Sequence, residues 1–248
     1  MAKRIALVTG GTGGIGSAIC KKLVDDGYQV IAGYYSGGKH EKAQKWQEQM
    51  AAEGYDIPVA FGNITEWESC EACIEGIKRD FGTIDVLVNN GGITRDSTLR
   101  KMNQEQWVDV INTDLTSVFY MTRMVVNDML ANGYGRIINI SSVNGEKGQF
   151  GQANYSAAKA GMHGFTKAVA QEVASKGVTV NTISPGYIAT PMIMEVPEEI
   201  REGIRKNIPV GRFGKPEDIA RVVSFLAHED ASFITGTNVS ANGGQHIH

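Results

Sequence analysis

Short apolar runs alternate with longer stretches of helical spacing along almost the whole chain. The runs lie at residues 5–8, 29–34, 58–61, 86–88, 137–140, 178–183 and 238–240. Between them, residues 15–24, 41–53, 67–79, 104–130, 155–174 and 217–226 carry the spacing of amphipathic helices. A strand that must return through a helix before the next strand lies parallel to it, through a right-handed crossover. Parallel strands covered on both faces read as unbroken apolar runs, as these do. The expected architecture is therefore α/β, a doubly wound parallel sheet of seven strands with helices on both faces. No linker, repeat or low-complexity stretch interrupts it, so residues 1–248 read as a single domain.

Other classes are disfavoured by bulk properties. A net charge of −3 supplies no basic field for nucleic acid. No apolar run approaches the roughly 20 residues that cross a membrane. The first residues run directly into the first strand with no signal-peptide core, so a cytoplasmic location is the default expectation. Three cysteines make no disulfide framework. Cys70 and Cys73 form a CxxC pair with no second pair or histidine beside it, which reads as two reduced thiols on a helix and no metal site.

The first strand runs into Thr9, Gly10, Gly11, Thr12, Gly13, Gly14, Ile15 and Gly16, and then into a helix. Glycines let backbone approach a pyrophosphate, and the helix N-terminus offers free N–H groups and the positive end of its dipole. The turn reads as a Rossmann-type dinucleotide site, in a nucleotide-binding half at about 1–100; a tight packing turn with no ligand is the other reading. After the second strand an NAD site usually carries an acid for the ribose 2′-hydroxyl. No acid occurs between Gly27 and His40. Ser36, Lys39 or His40 would welcome a 2′-phosphate there, with Tyr35 beside them at the cofactor, which points to NADPH. For Lys39 alone a solvated loop charge is an equal reading; the missing acid is the firmer observation.

Four further blocks end strands: Asn89-Asn90-Gly91-Gly92, Ser141-Ser142, Tyr155 to Lys159, and Pro185-Gly186. The C-terminal ends of strands form the ligand edge of such a sheet. Tyr155 and Lys159 are four residues apart on one helix face. A lysine ammonium beside a phenol stabilises phenolate, so Tyr155 can give a proton to a carbonyl oxygen. Ser142 can donate a second hydrogen bond to that oxygen. The irregular stretch 186–209 holds three of the six prolines and reads as a lid over the catalytic and substrate half, about 101–248.

With these blocks in register, the chain resembles the classical short-chain dehydrogenase/reductase family along nearly its whole length. The TGxxxGIG turn is met from Thr9 to Gly16, and YxxxK by Tyr155 and Lys159, with Ser142 thirteen residues before the tyrosine. The resemblance implies that Lys159 also holds the nicotinamide ribose. It implies further cofactor contacts from Gly62, Asn63 and Ile64, from Asn90, Gly91 and Gly92, and from Pro185, Gly186 and Ile188. It also implies a homotetramer built on the helices after Gln104 and Tyr155. Two positions depart from the pattern. The family's NNAG is NNGG here, and Gly91 is expected to loosen the turn. The family's helix asparagine, which helps hold a water on the proton relay to the lysine, is Asp114.

Within the family, the chain most resembles the bacterial branch that reduces acetoacetyl-CoA in polyhydroxyalkanoate synthesis. The resemblance rests on residues 92–96, 142–152 and 185–188. It implies that Asp96, Gln149, Phe150, Gln152 and Tyr187 line an acyl-thioester pocket, with Lys101 and Arg100 placed to meet the acidic CoA. The sister branch acts on the same thioester carried by acyl carrier protein. Those enzymes often have a basic residue before the Gly-Arg that opens the fifth strand, where this chain has Tyr134. Lys176 keeps a possible carrier-docking charge, and the balance favours CoA. Two other readings remain: a non-catalytic NADP-binding protein, favoured only by Asp114, and a sugar-alcohol or steroid dehydrogenase.

Overall fold

The structure, a computed structural model, describes residues 3–247, without the side chains of Ser36 and Met192. Seven strands form one parallel sheet: β1 (Ile5–Val8), β2 (Gln29–Tyr34), β3 (Val59–Phe61), β4 (Val86–Asn89), β5 (Gly135–Ile140), β6 (Val178–Pro185) and β7 (Asn238–Ala241), in the order β3-β2-β1-β4-β5-β6-β7. Alternate residues of one strand face opposite cores. Ala6 and Val8 pack with α1 (Gly14–Asp25) and α2 (His40–Ala52), while Ile5 and Leu7 pack with α3 (Trp67–Asp80). The expected two-faced α/β sheet is what the chain forms. Strand order reverses between β1 and β4, which opens a crevice at their C-terminal ends.

The stretch 104–130, read as one helix, is interrupted. It comprises α4 (Gln104–Ile111), a π-helical segment Asn112–Thr116, and α5 (Ser117–Asn132). Asn103 opens α4 with a capping box: it accepts from Gln106 N–H while the Gln106 side chain accepts from its own N–H. The interruption lies where the Asp114 carboxylate is tied to Ile93 and Lys159 across the crevice.

β5 begins two residues before the apolar run. Its Arg136 is buried, with the guanidinium donating to the carbonyls of Gly135, Gly177, His228 and Glu229 and stacked against Tyr134. Beyond β5 come α6 (Val143–Lys147), too short to leave a periodic signal, and α7 (Ala153–Val173). Residues 186–209 are less irregular than expected and contain α8 (Pro191–Met194) and α9 (Glu198–Lys206). Pro191 opens the first with its preset φ. Glutamates in the first turn of α9 and Arg205 and Lys206 in its last turn suit the helix dipole. The last helix, α10 (Pro216–Ala227), packs on α1. Among the described residues no helix is long and apolar enough to cross a membrane.

Candidate active site

At the β1–β4 crevice lie two adjoining cavities of about 640 and 510 Å³ that share Gly10, Gly91, Gly92 and Ile93. The β1–α1 turn forms one wall. Gly10 has φ +61°, and a Cβ on Gly16 would stand 2.2 Å from the Gly10 carbonyl oxygen, so the turn closes only with glycine. Gly13 caps α1 without a side chain, which leaves the first N–H groups of the helix unpaired by protein. Thr12, Gly13, Gly14 and Ile15 line the cavity. This cradle suits a pyrophosphate.

Tyr34, Tyr35 and Gly37 close the second cavity at the end of β2, opposite Gly62, Asn63 and Ile64. The Tyr34 hydroxyl is 2.7 Å from His40 Nδ1. Lys39 is exposed at the start of α2 and does not line either cavity. Ser36 sits in the short turn after β2, with its side chain outside the described residues. Cys70 and Cys73 also border this cavity, and burial pushes their thiols up to about 12 and about 11. Such thiols are poor nucleophiles, and no cluster of metal ligands occurs among the described residues.

The β4–α4 connection is tied to the β1 end by hydrogen bonds on both sides of Asn90. Thr9 Oγ1 accepts from the N–H groups of Asn90 (2.9 Å) and Gly91 (3.0 Å), and Asn90 Nδ2 donates to the carbonyls of Thr9 and Gly10. A Cβ on Gly91 would stand 2.8 Å from Ile64 Cδ1, so the isoleucine occupies the room an alanine methyl would take.

Ser142, Tyr155, Lys159 and Asp114 all border the larger cavity. Ser142 caps α6 by accepting from Asn144 N–H at 3.1 Å, and its own hydroxyl proton is left to donate. Tyr155 is half-buried in the first turn of α7, with the Lys159 ammonium 5.4 Å from its ring centre. Lys159 is buried and donates to the Ile140 carbonyl at 3.1 Å. Asp114 Oδ2 lies 3.2 Å from Lys159 Nζ, close enough for an ion pair but off the line of a good hydrogen bond. Asp114 Oδ1 accepts from Ile93 N–H at 2.8 Å. Gly92 makes the pairing possible: a Cβ there would stand 2.8 Å from Asp114 Oδ2.

Burial raises the Asp114 carboxyl above its ordinary range, against the pull of Lys159 and the Ile93 hydrogen bond. Burial alone would strip Lys159 of its proton. The charge of Asp114, neighbouring Tyr155 and the Asp114 contact outweigh it, so the lysine holds its proton more tightly than in water. Each group thus binds its proton more tightly than in water, Asp114 through burial and Lys159 through the charge of Asp114.

On the outer side of Tyr155, the structure brings some of the expected substrate residues together and leaves others apart. Gln152 and Tyr187 line the cavity. Gln152 Nε2 donates to both Asp96 carboxylate oxygens, and its Oε1 accepts from Asn144 Nδ2. Asp96 thus acts behind Gln152 and does not line the cavity itself. Burial, with the Asp96 charge, raises the Tyr187 hydroxyl. Phe150 is 88% exposed, Lys101 is exposed, and Gln149 is bonded to Lys147; none of the three lines the cavity. Asn144, Thr190 and Ile193 do, although none was expected there. The one signal for Asn144 was a polar side chain two residues after Ser142.

A Rossmann crevice with this constellation defines an oxidoreductase using a nicotinamide cofactor. The short chain dehydrogenase family model matches residues 4–201, and the chain belongs to that family. It is 52% identical over 247 residues to an acetoacetyl-CoA reductase of Cupriavidus necator, covering 100% of each chain. It is 51% identical over 244 residues to nodulation protein G of Azospirillum brasilense, covering 98% of each. A 3-oxoacyl-[acyl-carrier-protein] reductase of Haemophilus influenzae is 45% identical over 247 residues, covering 100% of each.

Proposed function

We propose that this chain reduces acetoacetyl-CoA to (R)-3-hydroxybutanoyl-CoA with NADPH, in the manner of polyhydroxyalkanoate synthesis. The observation that carries the reading is the meeting of Ser142, Tyr155 and Lys159 in the same cavity as the glycine turn of α1. The relatives named acetoacetyl-CoA reductase support the substrate. The preference for NADPH rests on the end of β2, where tyrosines and glycine border the cavity and residues 27–40 contribute no carboxylate to repel a 2′-phosphate; Asp109, elsewhere on that cavity's wall, is paired with Arg95.

The bound nicotinamide supplies the hydride. The glycine turn and the N-terminus of α1 hold the pyrophosphate, and Lys159 holds the nicotinamide ribose. Ser142 donates a hydrogen bond to the substrate carbonyl oxygen, and Tyr155 gives that oxygen its proton. Lys159, fixed between Ile140 and Asp114, supplies the positive field that lets Tyr155 release it. Gln152, locked by Asn144 and Asp96, and Tyr187 shape the acyl side. Exposed Trp107, Val108 and Phe119 on α4 and α5 support assembly as a homotetramer through these helices.

The second reading is a 3-oxoacyl-acyl-carrier-protein reductase, favoured by the Haemophilus relative. NADPH oxidation with acetoacetyl-CoA, beside acetoacetyl-acyl carrier protein, tests both. Faster turnover of the CoA ester supports the proposal, and turnover of the carrier-protein ester alone overturns it.

A further inference from the structure

The segment that carries Tyr187 leaves the sheet at the end of β6 and returns to the body near Val210. Both of its feet rest on the last residue of β7 and the short turn that follows it. At the first foot, Gly186 N–H donates to the Ala241 carbonyl at 3.1 Å. Tyr187 N–H donates to the Gln245 side-chain oxygen at 3.0 Å. At the second foot, Val210 N–H donates to the Gly243 carbonyl at 3.1 Å. Gly243 and Gly244 have φ of +64° and +84°, and a Cβ on either would press into Ile208 or Pro209.

The turn is itself stiff. Asn242 Oδ1 accepts from Gly244 N–H, Asn242 Nδ2 donates to the His246 carbonyl, and Gln245 N–H donates to the Asn242 carbonyl. The first foot is packed so closely that a Cβ on Gly186 would stand 2.5 Å from Gln245 Oε1. The segment is therefore a loop closed at its base by main-chain bonds, and Tyr187 is held by the Gln245 side chain at its N–H and by Gly214, whose N–H donates to the Tyr187 carbonyl at 2.9 Å. Gln245 does not border that cavity; it acts from behind the wall.

We infer that the C-terminal turn 241–245 is a clasp across both feet of this segment, and that Gln245 is a positioning residue which sets Tyr187 for the acyl substrate. The inference rests on the reading that Tyr187 faces the acyl group. A leucine at 245 keeps the bulk and removes the acceptor, leaving the Tyr187 N–H unpaired. A glutamate keeps the acceptor.

The test uses the full chain as Gln245→Leu and Gln245→Glu in two measurements. In the first, amide hydrogen exchange is followed without substrate. Exchange at residues 187–196 should quicken about three- to tenfold in the leucine variant, the expected effect of losing one partly buried hydrogen bond. It should remain near the wild-type rate in the glutamate variant. In the second, KM for acetoacetyl-CoA should rise about three- to tenfold in the leucine variant, with kcat and the Kd for NADPH within about twofold.

Unchanged exchange in the leucine variant overturns the clasp. Faster exchange with an unchanged KM overturns the positioning role. A glutamate variant as impaired as leucine shows that bulk and not the acceptor matters, and rejects the role of the hydrogen bond. Failure of the wild-type protein to reduce acetoacetyl-CoA overturns the substrate reading alone, since the exchange measurement needs no substrate.

Discussion

The buried pair of Asp114 and Lys159 makes a strong prediction about pH. Two unit charges 3.2 Å apart attract by about 5 kcal/mol at an effective dielectric constant near 20. That is the ceiling on what Asp114 contributes to keeping Lys159 charged, roughly four pH units at about 1.4 kcal/mol each. Asparagine has the same shape and can keep the Ile93 hydrogen bond through its oxygen. It then turns an NH2 group, a donor, towards an ammonium that only donates. Lys159 loses its counter-charge and gains no acceptor, so burial draws its proton affinity down. Removing the carboxylate also relieves a nearby phenolate of repulsion. Both effects make the Tyr155–Lys159 unit give up a proton at lower pH. In the proposed mechanism Tyr155 gives the proton, so the rate of reduction falls as pH rises and the pair loses it. The alkaline limb of kcat in Asp114→Asn should therefore move down by about one to two pH units, after allowance for the asparagine dipole. Turnover near neutral pH should be equal or higher, because a negative charge is removed beside an oxygen that becomes negative. The assay is kcat against pH with saturating NADPH for both proteins. A limb that stays in place or moves up refutes the argument. So does a loss of about tenfold or more near neutral pH with normal NADPH binding, which would give the carboxylate an active part in proton transfer.

Three other outcomes are expected. NADPH should be preferred over NADH by at least about tenfold in kcat/KM, some 1.4 kcal/mol, and Tyr35→Asp should move the preference towards NADH; equal efficiency of the wild type with both cofactors would count against the reading of the β2 end. Tyr155→Phe should lose at least about a hundredfold in kcat while NADPH binding by fluorescence titration persists, whereas Lys159→Ala should lose both; a phenylalanine variant keeping more than about a tenth of the rate would show that another group gives the proton. Chiral chromatography of the product should find (R)-3-hydroxybutanoyl-CoA, and a mainly S product would reject the proposed hand.

Most strands were legible because burial on both faces leaves unbroken apolar runs, as in Ile5–Val8 and Gln29–Tyr34. The start of β5 was not, because Arg136 is buried among carbonyls and a charged residue reads as the end of an apolar run. The helices of 186–209 were hidden by prolines that look like breakers, although Pro191 starts one. For the candidate site, the meeting of Ser142, Tyr155 and Lys159 was legible from the motif blocks read in register: Ser142 follows β5, and Tyr155 and Lys159 are four residues apart on one face of α7, which borders the same crevice. The outer rim was not. Whether Phe150 or Gln152 turns inward depends on a loop held by Ser97, whose N–H donates to Gly151 O, and that contact joins residues distant in sequence. The space left by Gly91 was likewise taken by Ile64, which no local pattern links to it.

The π-helical segment Asn112–Thr116 has a meaning for register along the chain as well as for the site. One extra residue in a helical turn advances everything after it by about 100° around the axis. Val110 and Asp114 look towards α7 and the crevice, while Met121, Val125 and Met129 are delivered in phase against the sheet. At 100° per residue Val110, Asp114, Met121, Val125 and Met129 also fall within about 100° of one another around a straight helix, so the apolar spacing carries no trace of the widened turn and residues 104–130 read as one helix.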